Sequence, residues 1–135
     1  MSELILPTLD EVNRPYWESC REGVLRLQRC GACGLLRYPI AAICPTCLST
    51  ELEWENVSGR GEVFSFIVFR HAYNAAWKDR IPYTVAIVQL PEGPRVLATI
   101  VETAPEDVHV GLQVEVIFER VSGEVMIPNF RALSA

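Results

Sequence analysis

A mainly β fold is predicted by three features of this 135-residue sequence: two cysteine knuckles near the amino-terminal end, five apolar segments after a glycine break, and a single short segment with helical spacing. The expected order is an N-terminal helix, a four-cysteine ribbon and a five-stranded barrel. The knuckles are Cys30-Gly31-Ala32-Cys33 and Cys44-Pro45-Thr46-Cys47, with ten residues between Cys33 and Cys44. A two-residue gap lets both thiolates of a knuckle reach one ion, and two facing knuckles complete the four-thiolate shell of a closed structural zinc site. Gly34, just after the first knuckle, suits a turn through positive φ, and Pro45 stiffens the second. Iron in a rubredoxin-like site takes the same ligands, so electron transfer stands beside structural zinc as an alternative. Disulfides need an oxidising compartment, and Met1 to Pro7 show no basic or apolar signal segment, so secretion is not expected.

The helix is expected over Asp10 to Glu22: Pro15 fits the first turn, Tyr16, Trp17 and Cys20 fall at spacings of three and four, and Gly23 ends it. Cys20, outside the knuckles, reads as a small buried hydrophobe. Leu25 and Leu27 alternate with Arg26 and Gln28 in a strand entering the first knuckle, and Leu52 and Trp54 alternate with Glu51, Glu53 and Glu55 in a return strand. So small a ribbon buries too little surface to stand alone, and a structural zinc there contributes on the order of 10 to 16 kcal/mol.

Ser58-Gly59-Arg60-Gly61 marks the expected boundary, giving residues 1–58 for helix and ribbon and 59–135 for the barrel. Five strands are expected after it, over Glu62 to Arg70, Tyr83 to Leu90, Arg95 to Thr103, Leu112 to Arg120 and Glu124 to Phe130, with one helical turn around Ala104 to Val108. This pattern suits a small Greek-key barrel of the OB type, although any five-stranded barrel shows the same alternation. On the second and third of these strands Val85, Ile87, Leu97 and Val101 lie opposite in parity to Ala86, Val88, Val96, Ala98 and Ile100. Both faces are therefore apolar, and the second needs covering by the ribbon or by a partner.

Charge narrows the function. Net charge is −5, divided as −3 over residues 1–58 and −2 over 59–135, which disfavours bulk nucleic-acid binding. Arg26, Arg29 and Arg37 lie near the knuckles with no acid between Val24 and Thr50, and read as a solubilising rim. No apolar run reaches the roughly 20 residues of a membrane helix, so a cytoplasmic protein is expected. There is no nucleophile elbow and no phosphate-cradling glycine loop, and His71 and His109 lack a sequence-adjacent catalytic partner, so a stand-alone enzyme is not expected.

Taken in order, Tyr16-Trp17, Leu27-Gln28-Arg29-Cys30-Gly31-Ala32-Cys33-Gly34, Cys44-Pro45-Thr46-Cys47, Leu52-Glu53-Trp54, Ser58-Gly59-Arg60-Gly61-Glu62-Val63, Ile81-Pro82-Tyr83, Glu92-Gly93-Pro94-Arg95, Gly111-Leu112-Gln113-Val114 and Asn129-Phe130-Arg131 resemble the DUF35 family of acyl-CoA-associated OB-fold proteins with a rubredoxin-like zinc ribbon. The likeness covers about residues 14 to 131. It implies zinc on Cys30, Cys33, Cys44 and Cys47, and a noncatalytic accessory or scaffold role beside a thiolase-like, lipid-transfer-type, aldolase or hydratase enzyme acting on acyl-CoA thioesters. Leu48 replaces the family's second knuckle glycine, which is expected to loosen that turn. If CoA touches this chain, its phosphates want Arg or Lys and its adenine an aromatic face. Arg70, Tyr73, Trp77, Lys78, Arg80 and Tyr83, on and beside a long loop, supply those groups. The rival functions are a single-stranded nucleic-acid-binding OB module and the rubredoxin-like electron carrier.

Overall fold

The computed structural model describes residues 11–38, 40–70, 81–121 and 125–133. Helix α1 spans Arg14–Arg21, with Pro15 in its first turn, where the missing N–H costs nothing. It ends at Gly23 (φ 79°), whose N–H donates to the Cys20 carbonyl at 3.1 Å. The chain then forms β1 (Arg26–Cys30), β2 (Leu36–Arg37) and β3 (Leu52–Asn56), an antiparallel sheet in the order β2-β1-β3. Strand β2 was not expected, because two residues carry no periodicity to read. It exists through pairing, with Gln28 opposite Arg37 and Arg29 opposite Leu36.

The barrel consists of β4 (Arg60–Phe69), β5 (Tyr83–Gln89), β6 (Arg95–Ile100), β7 (Gln113–Arg120) and β8 (Met126–Ala132). It closes in the order β4-β5-β6-β8-β7, with β7 returning to β4. Every pair is antiparallel except β6 with β8, which meet in parallel at Ile100 and Phe130. That order, with its late crossover between the third and fifth strands, distinguishes an OB barrel from other five-stranded closures. Strand β6 stops at Ile100 rather than Thr103, since Glu102 takes a left-handed φ of 53° that no strand accommodates. The expected helical turn is a 3-10 turn over Pro105–Asp107.

Inward positions match the alternation: Val63, Ala86, Val88, Leu90, Val96, Ile100, Val114 and Phe130 are all buried. The same apolar cluster includes Tyr16, Cys20, Leu25 and Leu27, so helix and ribbon share a core with the barrel. Two glycines permit the entry into β4. A Cβ on Gly61 would lie 2.6 Å from the Gln89 carbonyl oxygen, and one on Gly59 2.6 Å from Val116 Cγ1. No helix among the described residues is long and apolar enough to cross a membrane.

Candidate metal centre and binding faces

The ribbon brings the four knuckle cysteines together. Cys30 closes β1, Cys44 follows the loop from β2, and the Sγ atoms of Cys30, Cys33, Cys44 and Cys47 all lie within 4.8 Å of one another. Cys30 Sγ is 3.5 Å from Cys47 Sγ, and Cys33 Sγ 3.7 Å from Cys44 Sγ. These separations are far beyond a disulfide bond, and all four cysteines are free. A tetrahedron of Zn–S bonds of about 2.3 Å sets sulfurs about 3.8 Å apart, so the spacing fits one tetrathiolate ion.

Backbone amides prepare the site for anionic sulfur. The N–H groups of Cys33 and Ala32 each point at Cys30 Sγ from 3.4 Å and hold its thiol down at about 6. The amides of Cys47 and Thr46 lower Cys44 in the same way. Cys47 goes in the opposite direction: the Ser49 amide favours its thiolate, yet the adjoining Cys30 sulfur and burial push it up to about 12. Sulfurs this close cannot all ionise without a cation between them, and a bound metal removes that conflict.

The two knuckles are built alike. The Gly34 N–H donates to the Cys30 carbonyl at 3.0 Å, and the Leu48 N–H to the Cys44 carbonyl at 2.9 Å. Gly34 has φ 79° and Leu48 φ 66°. The expected loosening at Leu48 is therefore absent: the turn closes as tightly as its glycine counterpart, with a leucine held in the left-handed region.

The basic rim reading also needs correction. Arg37 is only 5 % exposed, and its Nε donates to Gln28 Oε1 at 2.9 Å. Arg29 spans β1 and β3, giving Nε and Nη2 to the two Glu55 carboxylate oxygens (2.8 and 2.6 Å) and Nη1 to the Gly34 carbonyl (2.7 Å). Arg26 engages Asn56 and Glu22. Sequence proximity had suggested a free positive face. Of the three cations only Arg37 turns inward, whereas Arg26 and Arg29 stay partly exposed with their charges paired to Glu22 and Glu55.

Of the residues nominated for CoA, Arg70 is exposed just after β4, and Tyr83 opens β5 with its ring stacked on Phe69 at 5.0 Å. Tyr73, Trp77, Lys78 and Arg80 lie outside the described residues. Cys20 is wholly buried, and burial pushes its thiol up to about 12, as suits a packing residue.

One feature escaped the sequence, and another was only partly read from it. A cleft of about 410 Å³ lies between α1, the loop after β2 and the barrel, lined by Tyr16, Trp17, Tyr38, Ile40, Leu97 and Ile127 among others. The ribbon thus covers only part of the second apolar face. Ile67, Ile87 and Leu97 remain exposed on the outer side of β4, β5 and β6. The doubled apolar parity of β5 and β6 pointed to such a face, but not to its extent.

Helix, four-thiol ribbon and OB barrel together define a metal-ribbon OB protein. Residues 17–53 match the ChsH2 rubredoxin-like zinc ribbon domain, and residues 54–119 the ChsH2 C-terminal OB-fold domain. The chain belongs to the DUF35 family that these two domains represent. It is 34% identical over 125 residues to a probable enoyl-CoA hydratase alpha subunit of Thermomonospora curvata, covering 93% of this chain and 39% of that protein. A DUF35 domain-containing scaffold protein of Methanocaldococcus jannaschii is 40% identical over 94 residues, covering 69% of this chain and 66% of the relative. The chain thus spans about two fifths of the first relative's length and about two thirds of the second's. Among solved structures, a chain of the Ltp2-ChsH2(DUF35) aldolase superposes with a TM-score of 0.84 at 33% identity, covering 94% of this chain and 98% of that one.

Proposed function

We propose that this chain is a noncatalytic accessory subunit of an enzyme that processes acyl-CoA thioesters. The observation that carries this reading is the near-complete structural likeness to a chain of a two-component aldolase, 0.84 in TM-score over 98% of that chain. The hydratase and scaffold relatives support the same role. A structural zinc on Cys30, Cys33, Cys44 and Cys47 would crosslink the ribbon and supply no open coordination position. Arg70, Tyr73, Trp77, Lys78, Arg80 and Tyr83, on and beside the segment that joins β4 to β5, are proposed to meet CoA. Acidity and the internal pairing of Arg26, Arg29 and Arg37 weigh against nucleic acid.

Co-purification of the tagged chain from its native cell, with mass spectrometry of what accompanies it, tests the role. The expected companion is an acyl-CoA enzyme subunit, and thioester hydrolysis by the isolated chain is expected at background. Turnover by the chain alone would end this reading. Elemental analysis separates zinc, colourless, from iron, red. The double substitution Lys78→Ala with Arg80→Ala is expected to weaken CoA binding by calorimetry, and unchanged affinity would remove those residues.

A further inference from the structure

Arg37 is buried in the ribbon, and among the described residues no carboxylate pairs with it. A cation in that position is costly unless something compensates its charge. Its own contacts are neutral. Nε donates to Gln28 Oε1 at 2.9 Å and Nη2 to the Ala41 carbonyl at 3.1 Å, while Nη1 has no partner. Gln28, wholly buried and opposite Arg37 across β1 and β2, accepts the Ala41 N–H on the same Oε1 at 2.9 Å and leaves Nε2 unpartnered. Two buried polar side chains thus hold both the amide and the carbonyl of Ala41.

The held residue stands between the two halves of the metal centre. Gln28 lies two positions before Cys30, and Ala41 three before Cys44. The Cys30 N–H donates to the Leu35 carbonyl at 2.8 Å, which sets β2 and Arg37 beside the first knuckle. The staple therefore starts at the first knuckle and grips the chain that delivers the second. Gathering four thiolates on one ion requires that this connection be ordered, and the ordering entropy is taken from the binding energy of the metal. A fixed Ala41 removes part of that cost. Charge points the same way. Four thiolates around one divalent ion are negative overall, and the ribbon holds a buried cation without a carboxylate.

We infer that Gln28 and Arg37 are positioning residues for the metal: they pre-form the approach to Cys44, and the loaded tetrathiolate supplies the counter-charge that Arg37 otherwise lacks. The inference rests on the structural-metal reading of the four cysteines and gives roles to two residues outside the ligand set. It also accounts for two orphaned donors, because a ribbon that needed only packing would be served as well or better by apolar side chains at both positions. Tyr38 and Ile40, between Arg37 and Ala41, line the cleft of about 410 Å³, so the staple ties one wall of that cleft to the metal.

The test compares the full chain with and without zinc, reading affinity by competition with a chromophoric chelator and stability by thermal unfolding. Arg37→Leu is expected to weaken zinc binding roughly ten- to a hundredfold and to shrink the rise in midpoint that zinc produces. Linkage separates this from a packing role: a side chain that only packs shifts both midpoints alike and leaves affinity untouched. Gln28→Glu keeps the acceptor for Ala41 and gives Arg37 a carboxylate. It is expected to raise the midpoint of the metal-free chain and to weaken zinc by a smaller factor. Zinc should slow hydrogen exchange at Ile40 to Ala42 in the wild-type chain and much less in Arg37→Leu; equal slowing in both would detach the cleft wall from the staple. Unchanged zinc affinity in Arg37→Leu would overturn the positioning role, and undiminished affinity in Gln28→Glu the charge balance. A wild-type chain that takes up neither zinc nor iron would remove the metal reading itself, and the staple's role with it.

Discussion

The ribbon and the barrel are both small antiparallel units, yet they are held together by different means. The barrel buries Val63, Val88, Leu90, Val114 and Phe130 almost completely, and its closure pairs strand edges that would otherwise stay open. The ribbon has a two-residue strand at one edge and places Gln28 and Arg37 in its interior, where Gln28 Nε2 and Arg37 Nη1 find no partner. Such groups cost stability, and the barrel carries one as well, Thr84 Oγ1 in β5. What the ribbon lacks in apolar area it recovers through four converging thiols and cross-strand ties such as Arg29 to Glu55. A unit too small for its own core can be specified by covalent-strength ligation, while a closed sheet needs only alternation.

The largest effect should come from breaking the ribbon at its metal. Cys44→Ser forfeits binding energy on the order of 10 kcal/mol. Hydrogen exchange is expected to show rapid exchange in β1 and β3 with protection persisting in β5 and β7; uniform protection would mean the metal is dispensable. Acid should act in the same sense. Cys30 in the folded chain is held at about 6, below its ordinary value of 9.0, so the thiolate contribution is complete above 9.0 and is lost as pH falls through about 6. Metal uptake by the metal-free chain, followed by a chromophoric chelator, should decline across that lower limit.

Next in size is the barrel core. Phe130→Ala, at the β6–β8 junction, should cost about 3–5 kcal/mol in denaturant unfolding without altering metal content. A smaller loss, about 1–3 kcal/mol, is expected for Gly59→Ala, which meets Val116 at 2.6 Å from a φ of 76°. The smallest belongs to Arg29→Ala. Its ion pair with Glu55 is more than a third exposed, so the midpoint should shift only slightly, and the shift should vanish in high salt. A large salt-independent loss would show that the ribbon depends on its polar ties more than on its metal.

Much of this was legible in the residues. The knuckle spacing located four cysteines whose sulfurs converge, because ligation demands short, fixed intervals along the chain. Alternation located all five barrel strands to within a few residues, since a half-buried strand must present its apolar side chains every second position. The ribbon's inner edge was harder. Leu36–Arg37 forms a strand only because β1 is beside it, and Arg37 looked like a surface cation until pairing with Gln28 placed it inside.

By itself, then, the sequence determined the four cysteines that converge, the apolar faces and the order of elements, all of which depend on neighbours close along the chain. The tertiary structure decided the strand order β4-β5-β6-β8-β7, the burial of Arg37 and the pairing of Arg26 and Arg29, and the left-handed leucine at the second knuckle. Those depend on which distant segments meet. Residues such as Ile100 and Phe130, or Arg29 and Glu55, come together only once closure of the sheets has joined strands widely separated along the chain.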